Sequence, residues 1–232
     1  MGAYRDLSLE EFQDIAGRIL YEDNHLLVFN KRTGEIVQGD KTGDEPLSET
    51  LKAFIARRDE KPGQVFMGVP HRLDRPVSGV CLFAKTSKAL ERLNEMLRNG
   101  QVHKTYWALT AIRPPKDSDI LTDFLTRNEA QNKSYVSKNG KEARLKYTLI
   151  QTTERYYLLE VELYTGRHHQ IRCQLAHMGC PIKGDLKYGA RRSNPDGSIS
   201  LLARRIQFIH PVKKTEVDVT APVPSDWKGV EG

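Results

Sequence analysis

Apolar residues come in short, dense runs early in the chain and in looser, alternating runs later. "HLLVFNK" (residues 25–31) and "GVCLFAKT" (79–86) are nearly continuous apolar stretches of strand length, and "QVFMGV" (64–69) reads the same way. Around them the rhythm lengthens to that of a helix. "SLEE" (8–11) is a capping box: a serine hydroxyl takes a backbone N–H three residues on, and the glutamate there answers. It opens a short helix over 9–17. Pro46 suits the first turn of a second helix, with Leu47, Leu51, Phe54 and Ile55 as one stripe. Ser87 N-caps a third, which buries Leu90, Leu93 and Leu97 and stops at Gly100.

Strands dominate the rest. "VHKTYWALT" (102–110), "ARLKYTLIQ" (143–151), "YYLLEVELY" (156–164) and "SISLLARRIQFIH" (198–210) are strand candidates, and "VDVTAPVPSDW" (217–227) is a strand ending in a proline turn. "GRHHQIRCQLAHMG" (166–179) interrupts them with Ile171, Leu175 and Met178 at helical spacing and Gly179 as a stop. "TGEIVQGDKTGDEP" (33–46) is a glycine-rich loop, and Pro114-Pro115 breaks the chain into a polar stretch that runs to about Lys141. Runs of strands with interspersed helices predict the α+β class: a mixed sheet in one domain, built as two sub-domains meeting at a cleft. Neither repeats nor a low-complexity linker breaks the chain.

Composition narrows the class. The 232 residues are 38% hydrophobic and 28% charged, which is the balance of a globular protein, and no run reaches the roughly 18 apolar residues of a membrane span. The first residues lack an apolar core for secretion, and Met1-Gly2 is no myristoylation start because Asp6 stands where Ser or Thr is required. Cys81, Cys173 and Cys180 have no disulfide-framework spacing, so a reducing cytoplasm is expected. The net charge of +6 suits a polyanion. Between Arg167 and Arg205 stand eight Lys or Arg and only two acids, Asp185 and Asp196; a solvated basic face explains this as well as an RNA surface does.

Several chemistries lack a seat. His169, Cys173 and His177 at four-residue spacing, with Cys180 beyond, could be read as zinc ligands, but the spacing fits no compact site and Arg167 and Arg172 would repel a cation. Buried thiols and hydrogen-bonded imidazoles are the simpler reading, so no metal is expected. "PVSGV" lacks the glycine of a nucleophile elbow, and neither a Walker loop nor a dinucleotide fingerprint occurs. The remaining oddity is "HRLDRPVSG" (71–79), one carboxylate, Asp74, between Arg72 and Arg75. An aspartate there is commonly a turn former or cap. Flanking arginines also favour its ionised form, as a nucleophile or base requires.

"HRLDRPVSG", "KTYWAL", "GRHHQIRCQLAHMGCPIKGDLKYG" and the closing "LLARRIQFIHP" and "APVPSDW" together resemble the RluA-type pseudouridine synthases, and "ILYEDNHLLVFNKRTG" looks like that family's first strands. The likeness runs from about Arg18 to Trp227. It implies a curved, mostly antiparallel mixed sheet in two sub-domains flanked by helices, with the active site in the cleft between them. Residues 1–17 would be a short helical extension and 18–232 the catalytic domain, without the S4-type RNA-binding module of many relatives. The family's catalytic aspartate falls on Asp74, its active-site tyrosine on Tyr106 and its basic residue on Arg172, expected to pair with Asp74. Arg72 takes the place of the arginine that fills the space left by the extruded uridine. His71, Arg75, His169 and Gln170 are further candidate RNA contacts, and Lys104, Arg167, His168, Lys183 and Lys187 are candidates for contacts to its phosphates. No cofactor is implied.

Three positions depart from the family's usual spelling: Val77 for a threonine, Arg32 for a proline, and Leu201-Leu202-Ala203 for a run containing histidine. The implied reaction flips a uridine out of structured RNA, cleaves its glycosidic bond and rejoins uracil through C5. Transfer RNA is the slightly preferred substrate, large-subunit ribosomal RNA the alternative, and a monomer the expected state. Rival classes are an RNA-binding protein on this fold that has lost catalysis, and a nucleosidase. The latter would want a second carboxylate beside Asp74, which no motif supplies.

Overall fold

The computed structural model describes residues 4–40 and 42–232, and the chain divides into two compact units. Met1, Gly2, Ala3 and Lys41 lie outside the described residues, among them the dipeptide weighed as an acylation start. Unit 1 runs up to Val102 and takes in Ile206–Ala221; unit 2 is His103–Arg205 with Pro222–Gly232.

Unit 1 opens with α1 (Leu9–Gly17), whose capping box forms as spelled: Glu11 N–H donates to Ser8 Oγ and Ser8 N–H to the Glu11 carboxylate. Then come β1 (Ile19–Glu22), β2 (Leu26–Lys31), α2 (Leu47–Arg58), β3 (Ser78–Ala84) and α3 (Ser87–Arg98). β1, β2 and β3 lie side by side and antiparallel. Both faces of β2 and β3 are covered, which is why they read as unbroken apolar runs. Leu51, Phe54 and Ile55 of α2 and Leu93 of α3 complete the core. The cap of α3 is Thr86, one residue before the expected serine, and its hydroxyl accepts from Ala89 N–H. "QVFMGV" is not a strand: it touches the sheet through a single bridge, Gly68 to Ala84.

Unit 2 contains β4 (His103–Thr110), β5 (Ser118–Asn128), β6 (Lys133–Val136), β7 (Lys141–Thr152), β8 (Tyr157–Leu163) and α4 (Gln170–His177). Its strands follow the order β4-β8-β7-β5-β6, antiparallel where paired. The polar stretch after Pro115, in which no strand was expected, thus supplies two strands. One face of β5 carries exposed Ile120 and Phe124, the other the buried Leu125, which packs with Ala143, Cys173 and Tyr188. α4 lies on that inner face, where Gln174 Nε2 donates to Asp123 Oδ2 and Ala143 O.

The chain then passes through β9 (Leu201–Ile209), which begins in unit 2 and ends in unit 1, and through β10 (Glu216–Thr220). The turn between them is tied to unit 1 by charge. Asp23, at the β1–β2 turn, accepts from the backbone of His25 and Leu26, from Tyr21 Oη at 2.9 Å and from Lys213 Nζ at 2.8 Å. His210 Nδ1 accepts from the N–H groups of Val212 and Lys213, so its ring proton sits on Nε2, 2.9 Å from the same carboxylate. No helix among the described residues is long and apolar enough to cross a membrane.

Candidate active site

In unit 1, Asp74 sits on the irregular stretch that leads into β3, between two buried anchors, Leu73 and Val77. A turn closed by Val77 N–H on Asp74 O follows it, and Gly79 then bends the chain into β3 at φ +112°, a value that glycine alone adopts without strain. His71 fastens the near end, its Nε2 accepting from Leu82 N–H at 3.0 Å. Arg75 ion-pairs with Asp44, and its carbonyl accepts from Gly34 N–H. Arg72 is exposed, with no hydrogen bond or ion pair among the described residues.

The loop rests on a lysine whose part the motifs did not disclose. Lys31, at the end of β2, is 0% exposed, and its Nζ donates to Val77 O at 2.6 Å, Arg32 O at 2.9 Å, and Asp74 O and Arg75 O at 3.2 Å each. Three of these carbonyls belong to the segment that carries the candidate nucleophile. Burial pulls the ammonium down to about 8, so at neutral pH it still offers three N–H groups to four acceptors. The available signal was a lysine closing an otherwise apolar strand.

In unit 2, Tyr106 is buried on β4, 8% exposed, opposite Val161 of β8. Arg172, on α4, is 6% exposed and held on three sides. Its Nε and NH2 meet the two oxygens of the buried Asp185 at 2.7 and 2.9 Å, a bidentate pair. NH1 lies 3.1 Å from His169 Nε2, and the guanidinium carbon stands 5.1 Å from the Tyr188 ring centroid. Arginine can only donate, so His169 Nε2 accepts and the ring proton sits on Nδ1, which reaches Tyr188 Oη at 3.0 Å. Burial and the neighbouring Arg172 lower the His169 pKa to about 2, which keeps it neutral; burial raises the Tyr188 hydroxyl to about 12. Tyr188 Oη also accepts from Ser134 N–H. Asp185 and Tyr188 come from "GDLKYG", whose isolated acid in a basic stretch was the clue to a buried pair.

The other candidates sort by depth. His169 and Gln170 lie beneath the surface. Gln170 Oε1 accepts from Arg167 N–H and Thr165 Oγ1, and its amide donates to Arg144 O, which shapes the start of α4. Arg167, Lys183 and Lys187 stand further out, and Lys104 lies two residues before Tyr106 on β4. The four residues weighed as zinc ligands point to different partners. His169 faces Tyr188, Cys173 Sγ donates to Ser134 O, His177 is exposed, and Cys180 Sγ reaches Arg113 O. Among the described residues no three metal-ligating side chains converge.

The comparisons agree with the motifs. Residues 25–177 match the RNA pseudouridylate synthase family. The chain is 34% identical to the ribosomal large subunit pseudouridine synthase D of Xylella fastidiosa, over 92% of this chain and 68% of that protein. It is 31% identical to the ribosomal large subunit pseudouridine synthase C of Vibrio cholerae, over 93% and 68%. The fold matches the human RNA pseudouridylate synthase domain-containing protein 4 with a TM-score of 0.77 at 23% identity, covering 93% and 92% of the two chains. Asp74, Tyr106 and Arg172 all fall within the matched residues, and over nine-tenths of the chain is shared with these relatives. The chain therefore belongs to the RluA-type family of RNA pseudouridine synthases, and it is an RNA-modifying isomerase.

Proposed function

We propose that this enzyme converts a uridine of large-subunit ribosomal RNA to pseudouridine, with Asp74 initiating the reaction. The observation that carries the choice of RNA is the match to ribosomal large subunit pseudouridine synthases along more than nine-tenths of the chain. The transfer RNA preference expected from sequence gives way to this on likeness alone.

In this reading a flipped uridine costs a few kcal/mol of lost stacking, and the exposed Arg72 offsets part of it by entering the vacated stack. Asp74 starts glycosidic cleavage from a backbone fixed by Lys31. Tyr106 stacks on the uracil and accepts the C5 proton late in the reaction. Arg172 supplies a positive charge that Asp185 and His169 hold in one orientation.

The test uses Asp74→Asn and RNA labelled with tritium at uridine C5. Release from the variant is expected to vanish, and release at the wild-type rate would remove Asp74 from the mechanism. Pseudouridine mapping of total RNA from a deletion strain decides the substrate. A lost large-subunit site supports the proposal, and a loss confined to transfer RNA overturns it.

A further inference from the structure

Most cations that the sequence offers as RNA contacts already hold an acceptor within unit 2. Arg167 Nε donates to Glu142 O at 2.8 Å, Lys183 Nζ to Asn194 Oδ1 at 2.9 Å and Lys187 Nζ to Asn132 O at 3.1 Å. Lys104 differs. Its side chain is partly buried, burial lowers its pKa, and among the described residues nothing accepts a hydrogen bond from it or pairs with it. A half-withdrawn ammonium without an acceptor is unfavourable until an anion arrives.

The surroundings say where that anion would come from. Lys104 and Tyr106 are alternate residues of β4, so they project to the same face, about 6.6 Å apart along the strand. Its nearest neighbours on that face, Val161, Leu163, Tyr147 and Leu145, carry no carboxylate; Asp119 and Asp123 come in only on β5, three strands away. A Cβ at Gly166 would lie 3.7 Å from Lys104 Nζ, so the ammonium lies close to an exposed residue that has no side chain. A cation beside a buried aromatic, reachable past a glycine, fits a unit with a charged end and a flat ring.

We propose that Lys104 anchors a backbone phosphate of the target strand, next to the nucleotide whose base meets Tyr106. The assignment rests on the pseudouridine synthase reading and deepens it, because such a site favours a nucleotide within a polymer over a free nucleoside.

The experiment follows kcat/KM against salt, from 50 to 200 mM, for wild type, Lys104→Met and Lys104→Arg. The probe is an unmodified large-subunit ribosomal RNA transcript tritiated at uridine C5. Lys104→Met is expected to lose about tenfold in kcat/KM, mainly through KM, and to flatten the log–log salt slope by roughly 0.7, the value for one phosphate of a single strand. Its Tm should match or exceed that of wild type, since an ammonium without an acceptor has been removed, and Lys104→Arg should keep the wild-type slope. An unchanged slope in Lys104→Met, or a fall in Tm that accounts for the lost activity, would overturn the assignment. Wild-type protein inert on this transcript refutes the ribosomal target instead, and the three proteins are then compared on transfer RNA transcripts.

Discussion

Replacing Lys31 with methionine keeps a chain of similar length at the end of β2 and removes the ammonium shared by four carbonyls. Asp74 O still accepts from Val77 N–H, and Arg75 O from Gly34 N–H, so neither is left bare. Val77 O, the nearest at 2.6 Å and in buried surroundings, loses its charged donor, and an unpaired buried acceptor costs roughly 1–3 kcal/mol. Taking a charge out of the interior offsets part of the remainder. The net loss is about 2 kcal/mol, or roughly 4–8 °C in Tm for a chain of this length.

Turnover should suffer more. Without the tether the backbone of Asp74 and Arg75 can drift, and a displacement of about 1 Å at a reacting group costs on the order of 10²-fold in rate. Circular dichroism melts and tritium release at 25 °C measure the two effects separately. A variant that melts several degrees lower yet turns over at the wild-type rate would refute the link between Lys31 and Asp74. The same group has a pH signature. Its folded value of about 8 lies below the roughly 10.4 of an unfolded lysine, so between the two the unfolded chain binds the extra proton. This group therefore makes stability rise with pH across that window. Meanwhile the neutral amine has one N–H fewer for its carbonyls, so kcat should fall above about pH 8 in wild type, and the methionine variant should lack that limb.

Two further outcomes follow from the buried charges. Asp185→Asn turns an amide donor toward the guanidinium and removes the bidentate carboxylate from the buried Arg172 charge; roughly 3 kcal/mol of stability should be lost in urea melts, with kcat falling more than KM rises. Burial alone would raise the Asp23 pKa, but Lys213 and the N–H groups of His25 and Leu26 outweigh it and hold the carboxyl well below its ordinary range. Its stabilisation is thus complete above the unfolded value of about 3.9 and is lost as pH falls below that, so Asp23→Asn should flatten the acid limb of a Tm profile taken between about pH 2 and 7.

What sequence disclosed tracks how local the cause is. α1 could be bounded because Ser8 and Glu11 satisfy each other within one turn, and Leu26–Lys31 and Ser78–Ala84 because a strand covered on both faces must be apolar throughout. Thr86 and Ser87 are adjacent hydroxyls, and only backbone geometry selects the cap. Ser118–Asn128 was missed because its partner, Lys141–Thr152, supplies the reason to be a strand, while its outward face mixes Ile120 and Phe124 with Ser118 and Thr122. "QVFMGV" erred in the opposite direction, since apolar density marks burial and says nothing about pairing. The candidate site divides in the same way. Motif spelling pointed to Asp74, Tyr106 and Arg172, but Lys31 and Asp185 act through carbonyls and a guanidinium that only the fold brings to them.

Because unit 1 is assembled from two stretches separated by about a hundred residues, its completion has a clock. At roughly 5–20 residues per second, a ribosome needs about 5–20 s after Val102 to reach His210 and Lys213. Throughout that interval Asp23 waits without the Lys213 ammonium that pairs with it and without the His210 ring that lies beside it. The nascent protein therefore cannot finish its amino-terminal portion first, and fragments ending near Val102 should be poor stand-ins for unit 1.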